Sequence, residues 1–86
     1  MSGVYLIHFS SPFSHANHYI GFSEDIPARL ERHRSGRGSN LTRKVVQSGR
    51  QLILARVWEG EGRDFERTLK NRKCAPKYCP ICKANH

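Results

Sequence analysis

In the stretch "ARLERH" an arginine and a histidine, Arg29 and His33, stand four residues apart. On a helix that spacing places both side chains on one face. Upstream, Tyr5 and Tyr19 sit in two short apolar, β-rich runs. Consecutive strands of a hairpin can set two such phenols side by side. A guanidinium presents a planar cationic fork, and a phenol can donate or accept a proton. Together with an imidazole they form a set able to handle phosphate. Taken singly, each has an ordinary alternative: a strand tyrosine packs half-buried, and arginine or histidine on an amphipathic helix is solvated.

The elements that must position them follow from local patterning. "VYLIHF" (Val4–Phe9) and "HYIGF" (His18–Phe22) read as strands, and "SSPFSHAN" (Ser10–Asn17) between them as a loop. A helix follows, with Asp25 as N-cap, Pro27 in the first turn, Ile26 and Leu30 facing inward, and Gly36 as its stop. Arg29 and His33 then lie beside the core, toward the sheet edge. "SGRGSN" (Ser35–Asn40) is a flexible basic loop. Leu41–Gly49 reads as a short helix capped by Asn40, Gln51–Trp58 as a third strand, and Arg63–Lys73 as a last helix with Phe65 and Leu69 inward. The tail, "CAPKYCPICKANH", reads as irregular. The expected fold is α+β, a small, mainly antiparallel three-stranded sheet flanked by helices in the order β-β-α-α-β-α. Residues 1–73 would form the body, and residues 74–86 a cysteine-bearing tail belonging to the same domain.

The chain of 86 residues carries 15 Lys+Arg against 7 Asp+Glu, a net charge of +8. A small domain this basic attracts polyanions, nucleic acid first among them. No stretch approaches the roughly 18 apolar residues of a spanning helix, and no long amphipathic helix offers a membrane face. "MSGVYLIHFS" lacks the basic region and cleavage site of a secretory signal, so a cytoplasmic protein is expected, nucleoid-associated in a bacterium. Three cysteines, an odd number, fit thiols or metal ligands better than a closed disulfide framework.

"GVY" (Gly3–Tyr5), "YIG" (Tyr19–Gly21), and then Arg29 and His33 in "YIGFSEDIPARLERH" resemble the GIY-YIG nuclease superfamily. The "GRGSNLTR" loop is similar to that of small stand-alone members. In "DFERTLK" a glutamate, Glu66, precedes Leu69 and Lys70, as in the last helix of the family. The resemblance spans about residues 3–78. Val4 stands where the first triplet has isoleucine, and in "PKYC" Cys79 stands where some relatives carry asparagine.

The resemblance implies a metal-dependent endonuclease that hydrolyses phosphodiester bonds in DNA, leaving a 5′-phosphate and a 3′-hydroxyl. It makes Tyr5 the general base and groups Tyr5, Tyr19, Arg29, His33 and Glu66 as the catalytic set. Glu66 would supply a hard oxygen ligand, and one carboxylate with waters and substrate phosphate is an ordinary Mg²⁺ (or Mn²⁺) site. Arg29 would stabilise charge on the phosphoryl oxygens, and Tyr19 would hold the water or the phosphate. His33 would either bond the phosphate or polarise Tyr5. Arg32, Arg34, Arg37, Arg43, Lys44 and Arg50 surround this region and would contact phosphates without reading sequence. RNA is a second candidate substrate, and a homodimer or a protein partner could supply specificity. Two alternatives belong to other classes: a basic module that binds nucleic acid without cutting it, and an adaptor that docks a partner protein.

Cys74, Cys79, Cys82 and His86 read C-x4-C-x2-C-x3-H, and "CPIC" is a knuckle able to grip Zn²⁺. A Cys₃His site there would pin the tail, with free thiols as the alternative. His8, His15 and His18 flank the hairpin loop. Strand alternation turns His18 to the face opposite Tyr19, and a structural or surface role is expected for all three.

Overall fold

The computed structural model describes residues 1–72 and 75–84. Two of the expected zinc ligands, Cys74 and His86, lie outside the described residues.

Strands β1 (Gly3–Phe13), β2 (Ala16–Ser23) and β3 (Leu52–Glu59) form one antiparallel sheet in the order β2-β1-β3. Helices α1 (Ile26–Arg34) and α2 (Asn40–Gln47) connect β2 to β3, and α3 (Arg63–Arg72) follows. The tail departs from expectation: it is two short helical turns, α4 (Ala75–Tyr78) and α5 (Pro80–Ala84). None of the described helices is long and apolar enough to cross a membrane.

Alternation along β1 builds two cores. Tyr5, Ile7 and Phe9 join Ile26, Leu30, Val45 and Leu52 on the α1–α2 face. Val4 and Leu6 join Ile20, Leu69 and Cys79 on the α3–α5 face. The central strand is therefore buried from both sides and reads as a continuous apolar run.

Local chemistry sets the ends of the helices. Asp25 caps α1, accepting from the Ala28 N–H at 3.2 Å, and Gly36 leaves in the left-handed region (φ 82°). At α2 the cap is Ser39 rather than Asn40. Ser39 Oγ accepts from the Thr42 N–H at 3.2 Å and also meets Thr42 Oγ1 at 3.0 Å, a double engagement that fixes the helix start one residue earlier.

The stretch Ser10–Asn17, expected as a loop, is largely strand. Phe13 pairs with Ala16, the register shifts between His8 and Phe13, and the turn is made at Ser14 (φ 57°). Tertiary contacts hold this extension. Arg50 stacks over the Phe13 ring at 5.4 Å and donates to the Pro12 carbonyl at 2.9 Å, and the Gln51 N–H donates to Ser10 Oγ.

Candidate active site

Tyr5 pairs with Gly21 and Ile7 with Tyr19, so both phenols project from one face, diagonally placed, with ring centroids 6.3 Å apart. Gly21 is required beneath them. A Cβ at that position would fall on the Tyr5 phenol.

His33 enters from the last turn of α1 and is 1% exposed. Its Nε2 lies 2.8 Å from Tyr5 Oη, and its Nδ1 lies 2.9 Å from Thr42 Oγ1. Its ring also meets Tyr19 edge-on at 5.1 Å. The sequence reading put His33 beside the core; the structure puts it inside, because Tyr5 and Thr42 satisfy both ring nitrogens. Gly38 makes room for it, since a Cβ there would strike Nδ1.

Thr42 Oγ1 also lies 3.0 Å from Ser39 Oγ and 3.2 Å from the Ser39 carbonyl, so a chain of polar contacts runs from Tyr5 through His33 and Thr42 to Ser39. Burial, then Arg29 and Arg32, lower the His33 pKa to about 4, so the imidazole is neutral at neutral pH. Tyr5 moves the other way. Burial and then Tyr19 push its phenol well above the usual value, Arg29 opposes this, and Glu66 adds to it. The guanidinium of Arg29 and the carboxylate of Glu66 thus act on the same hydroxyl.

Glu66 reaches the site from α3. Phe65 and Leu69 dock that helix on the second core, and Phe65 packs edge-on against Trp58 at 5.6 Å. Glu66 is half-buried and pairs with Lys70 Nζ at 3.3 Å, while Lys70 Nζ lies 5.7 Å from the Tyr19 ring centroid. As a hard oxygen donor, the Glu66 carboxylate suits a divalent ion of the Mg²⁺ class.

Next to this group is a cleft of about 390 Å³ lined by Phe22, Asp25, Arg29, Arg32 and Arg63 among others. Neither Arg29 nor Arg32 pairs with a described carboxylate. Arg63, which the sequence reading missed, lies over the Phe22 ring at 4.9 Å. Its position at the first residue of α3 was the available signal. The other basic residues separate into two groups. Arg37, Arg43 and Lys44 are exposed on the α1–α2 loop and on α2. Arg34 and Arg50 are engaged with backbone instead: Arg34 donates twice to the Leu52 carbonyl, and Arg50 to that of Pro12.

The β2-β1-β3 sheet and its flanking helices thus carry a phenol pair, a buried histidine, an arginine unpaired with any described carboxylate, and one carboxylate. The chain matches the GIY-YIG catalytic domain over residues 1–78 and belongs to that family, which is a nuclease family whose members typically use divalent metals. No curated protein and no solved structure matches it.

Proposed function

We propose that this protein is a Mg²⁺-dependent endonuclease that hydrolyses DNA phosphodiester bonds, releasing a 5′-phosphate and a 3′-hydroxyl. One observation carries the reading. The Tyr5 hydroxyl lies 2.8 Å from Nε2 of the buried His33, beside a cleft lined by Arg29 and Arg32.

Arg29, Arg32 and Arg63 bind the phosphate, with Arg29 nearest the reacting group. Glu66 would hold the metal ion, which when bound supplies positive charge that acidifies water and neutralises the phosphate. Tyr5 takes the proton of the attacking water as its own proton passes to His33 Nε2. The water oxygen bonds to phosphorus, the bond to the 3′-oxygen breaks, and that oxygen leaves with the electron pair and takes a proton from solvent to become the 3′-hydroxyl. In the reactive tautomer Nδ1–H donates to Thr42 Oγ1 and Nε2 is the acceptor, so Thr42 orients the imidazole rather than touching the substrate.

Burial is the first cause of the lowered His33 pKa, and Arg29 and Arg32 add to it. A phosphate bound by those guanidiniums would offset their share of the lowering and leave the share due to burial.

The test is incubation of supercoiled plasmid with the protein, with Mg²⁺ and with excess chelator, beside the Glu66→Gln variant. Nicking or linearisation that requires both Mg²⁺ and Glu66 is expected, with ends that a ligase rejoins without prior phosphorylation. Retarded migration of uncut DNA under all conditions would replace the enzyme with a binding module. A labelled RNA in parallel separates the two nucleic acids.

A further inference from the structure

On the sheet face opposite the phenols, two histidines and two cysteines converge that no part of the nuclease reading uses. His8 on β1 and His18 on β2 are direct partners in the ladder, so both project from the same face. Cys79 and Cys82 come from the C-terminal turns that pack there, and Cys79 is fully buried. One ligand atom from each of the four lies within 4.8 Å of every other. We infer that His8, His18, Cys79 and Cys82 form a structural Zn²⁺ site that staples the C-terminal turns to the β1–β2 hairpin.

Distances support this assignment. Zinc bonds of about 2.05 Å to nitrogen and 2.3 Å to sulfur, set tetrahedrally, give edges of about 3.3 Å for N···N and 3.6 Å for N···S. His8 Nδ1 lies 3.3 Å from His18 Nε2. Cys79 Sγ and Cys82 Sγ lie 3.5 and 3.6 Å from His8 Nδ1, and Cys82 Sγ lies 3.3 Å from His18 Nε2. These four separations match tetrahedral edges to within about 0.3 Å. Two thiolates and two neutral imidazoles also neutralise Zn²⁺, which suits a part-buried site whose Cys79 is fully buried.

The set differs from the one expected from sequence. Cys79 and Cys82 are retained from the C-x2-C knuckle, but the remaining ligands come from about seventy residues upstream instead of from Cys74 and His86. A site closing so long a loop orders more chain than a local knuckle does. It also fixes the turns that immediately follow α3, and so the helix that presents Glu66 to Tyr5. The substitution of Cys79 in "PKYC" acquires a reason: the side chain faces the metal site, not the phosphate.

The test is zinc content of the full chain purified without added metal, by elemental analysis. About one equivalent is expected, with His8→Asn/His18→Asn reduced below a tenth and Cys74→Ser and His86→Ala unchanged. Retention of zinc by the double histidine variant, or its loss in Cys74→Ser with folding intact, would overturn the assignment in favour of the local knuckle. Less than a tenth of an equivalent in the wild-type protein would remove the site altogether. Because variants at Cys79 can fail to fold, the wild-type protein is also titrated with an organomercurial in the presence of a chromogenic chelator. Release of one zinc per two site thiols is expected, and no release would overturn the proposal. Neither readout depends on nuclease activity, so failure of one proposal leaves the other standing.

Discussion

Gly21 lies directly opposite Tyr5 in the β1–β2 ladder, and the Tyr5 ring occupies the space its missing Cβ would fill. The second glycine of the hairpin is therefore a packing partner of the phenol. Gly21→Ala must displace the ring or spread the strands. Overpacking of this kind costs about 1–3 kcal/mol. For a domain of this size that is a drop of roughly 4–8 °C in Tm for each kcal/mol. Calorimetry measures it, and cleavage should fall further than stability does, because Tyr5 loses its bond to His33. An unchanged Tm with full activity would show that the ring has another place to go.

Thr42 governs the same bond from its far end. Thr42→Val leaves the Nδ1–H of a fully buried histidine without an acceptor, at a cost of about 1–3 kcal/mol. The ring can then escape by moving its proton to Nε2, which turns a lone pair toward Tyr5 into a donor. Cleavage should fall on the order of 10²-fold, the usual size of a general-base contribution. Nitrogen-resolved NMR of the imidazole reports the tautomer directly. A Thr42→Val protein that keeps the Nδ1–H form and full activity would remove Thr42 from the mechanism.

His33 also makes stability depend on pH. In the folded protein it titrates near 4, against 6.5 for an ordinary histidine. Between those values the unfolded chain binds more protons than the native one, so stability rises with pH from about 4 to 6.5 and is flat above. The contribution is on the order of 3 kcal/mol at neutral pH. The comparison that isolates His33 is urea unfolding of wild type and His33→Gln across this range. The variant should be less stable at pH 7 and show a shallower slope.

Much of this arrangement was legible in the sequence wherever the determinant is local. Asp25, Pro27 and Gly36 bound α1 because capping, a missing N–H and a left-handed residue act within one turn. Two triplets, Arg29, His33 and Glu66 were legible as a set because their chemistry is shared by a family. What was hidden depends on pairing. Ser10–Phe13 carries turn residues, yet it stays extended because Arg50 and Gln51, some forty positions later, grip it. His33 followed helical periodicity to the flank of the core, and only the partners Tyr5 and Thr42 draw it inside. His8 and His18 share a face by alternation, but their direct pairing needs the ladder register, and the cysteines below them come from the other end of the chain.

Charge outside the phenol site divides by what each arginine already holds. Arg32 and Arg63 line the cleft beside Arg29, and Arg32 pairs with no described carboxylate, so each is available to a phosphate. Arg34 is occupied by the Leu52 carbonyl, which it reaches through Nε at 3.3 Å and Nη2 at 3.1 Å. Each lost phosphate contact lowers the slope of log K against log salt by about 0.9 on duplex DNA. Arg32→Ala and Arg63→Ala should each weaken binding to a catalytically silent complex, made with Ca²⁺ in place of Mg²⁺, and flatten that slope by close to one contact. Arg34→Ala should leave the slope unchanged and lower stability, by about 1 kcal/mol for the hydrogen bonds removed from a part-buried carbonyl. Fluorescence anisotropy of a labelled duplex across a salt series, with urea unfolding of the same proteins, separates the two outcomes. A slope that falls for Arg34→Ala but not for Arg63→Ala would move the phosphate track from the cleft at the start of α3 to the opposite end of α1.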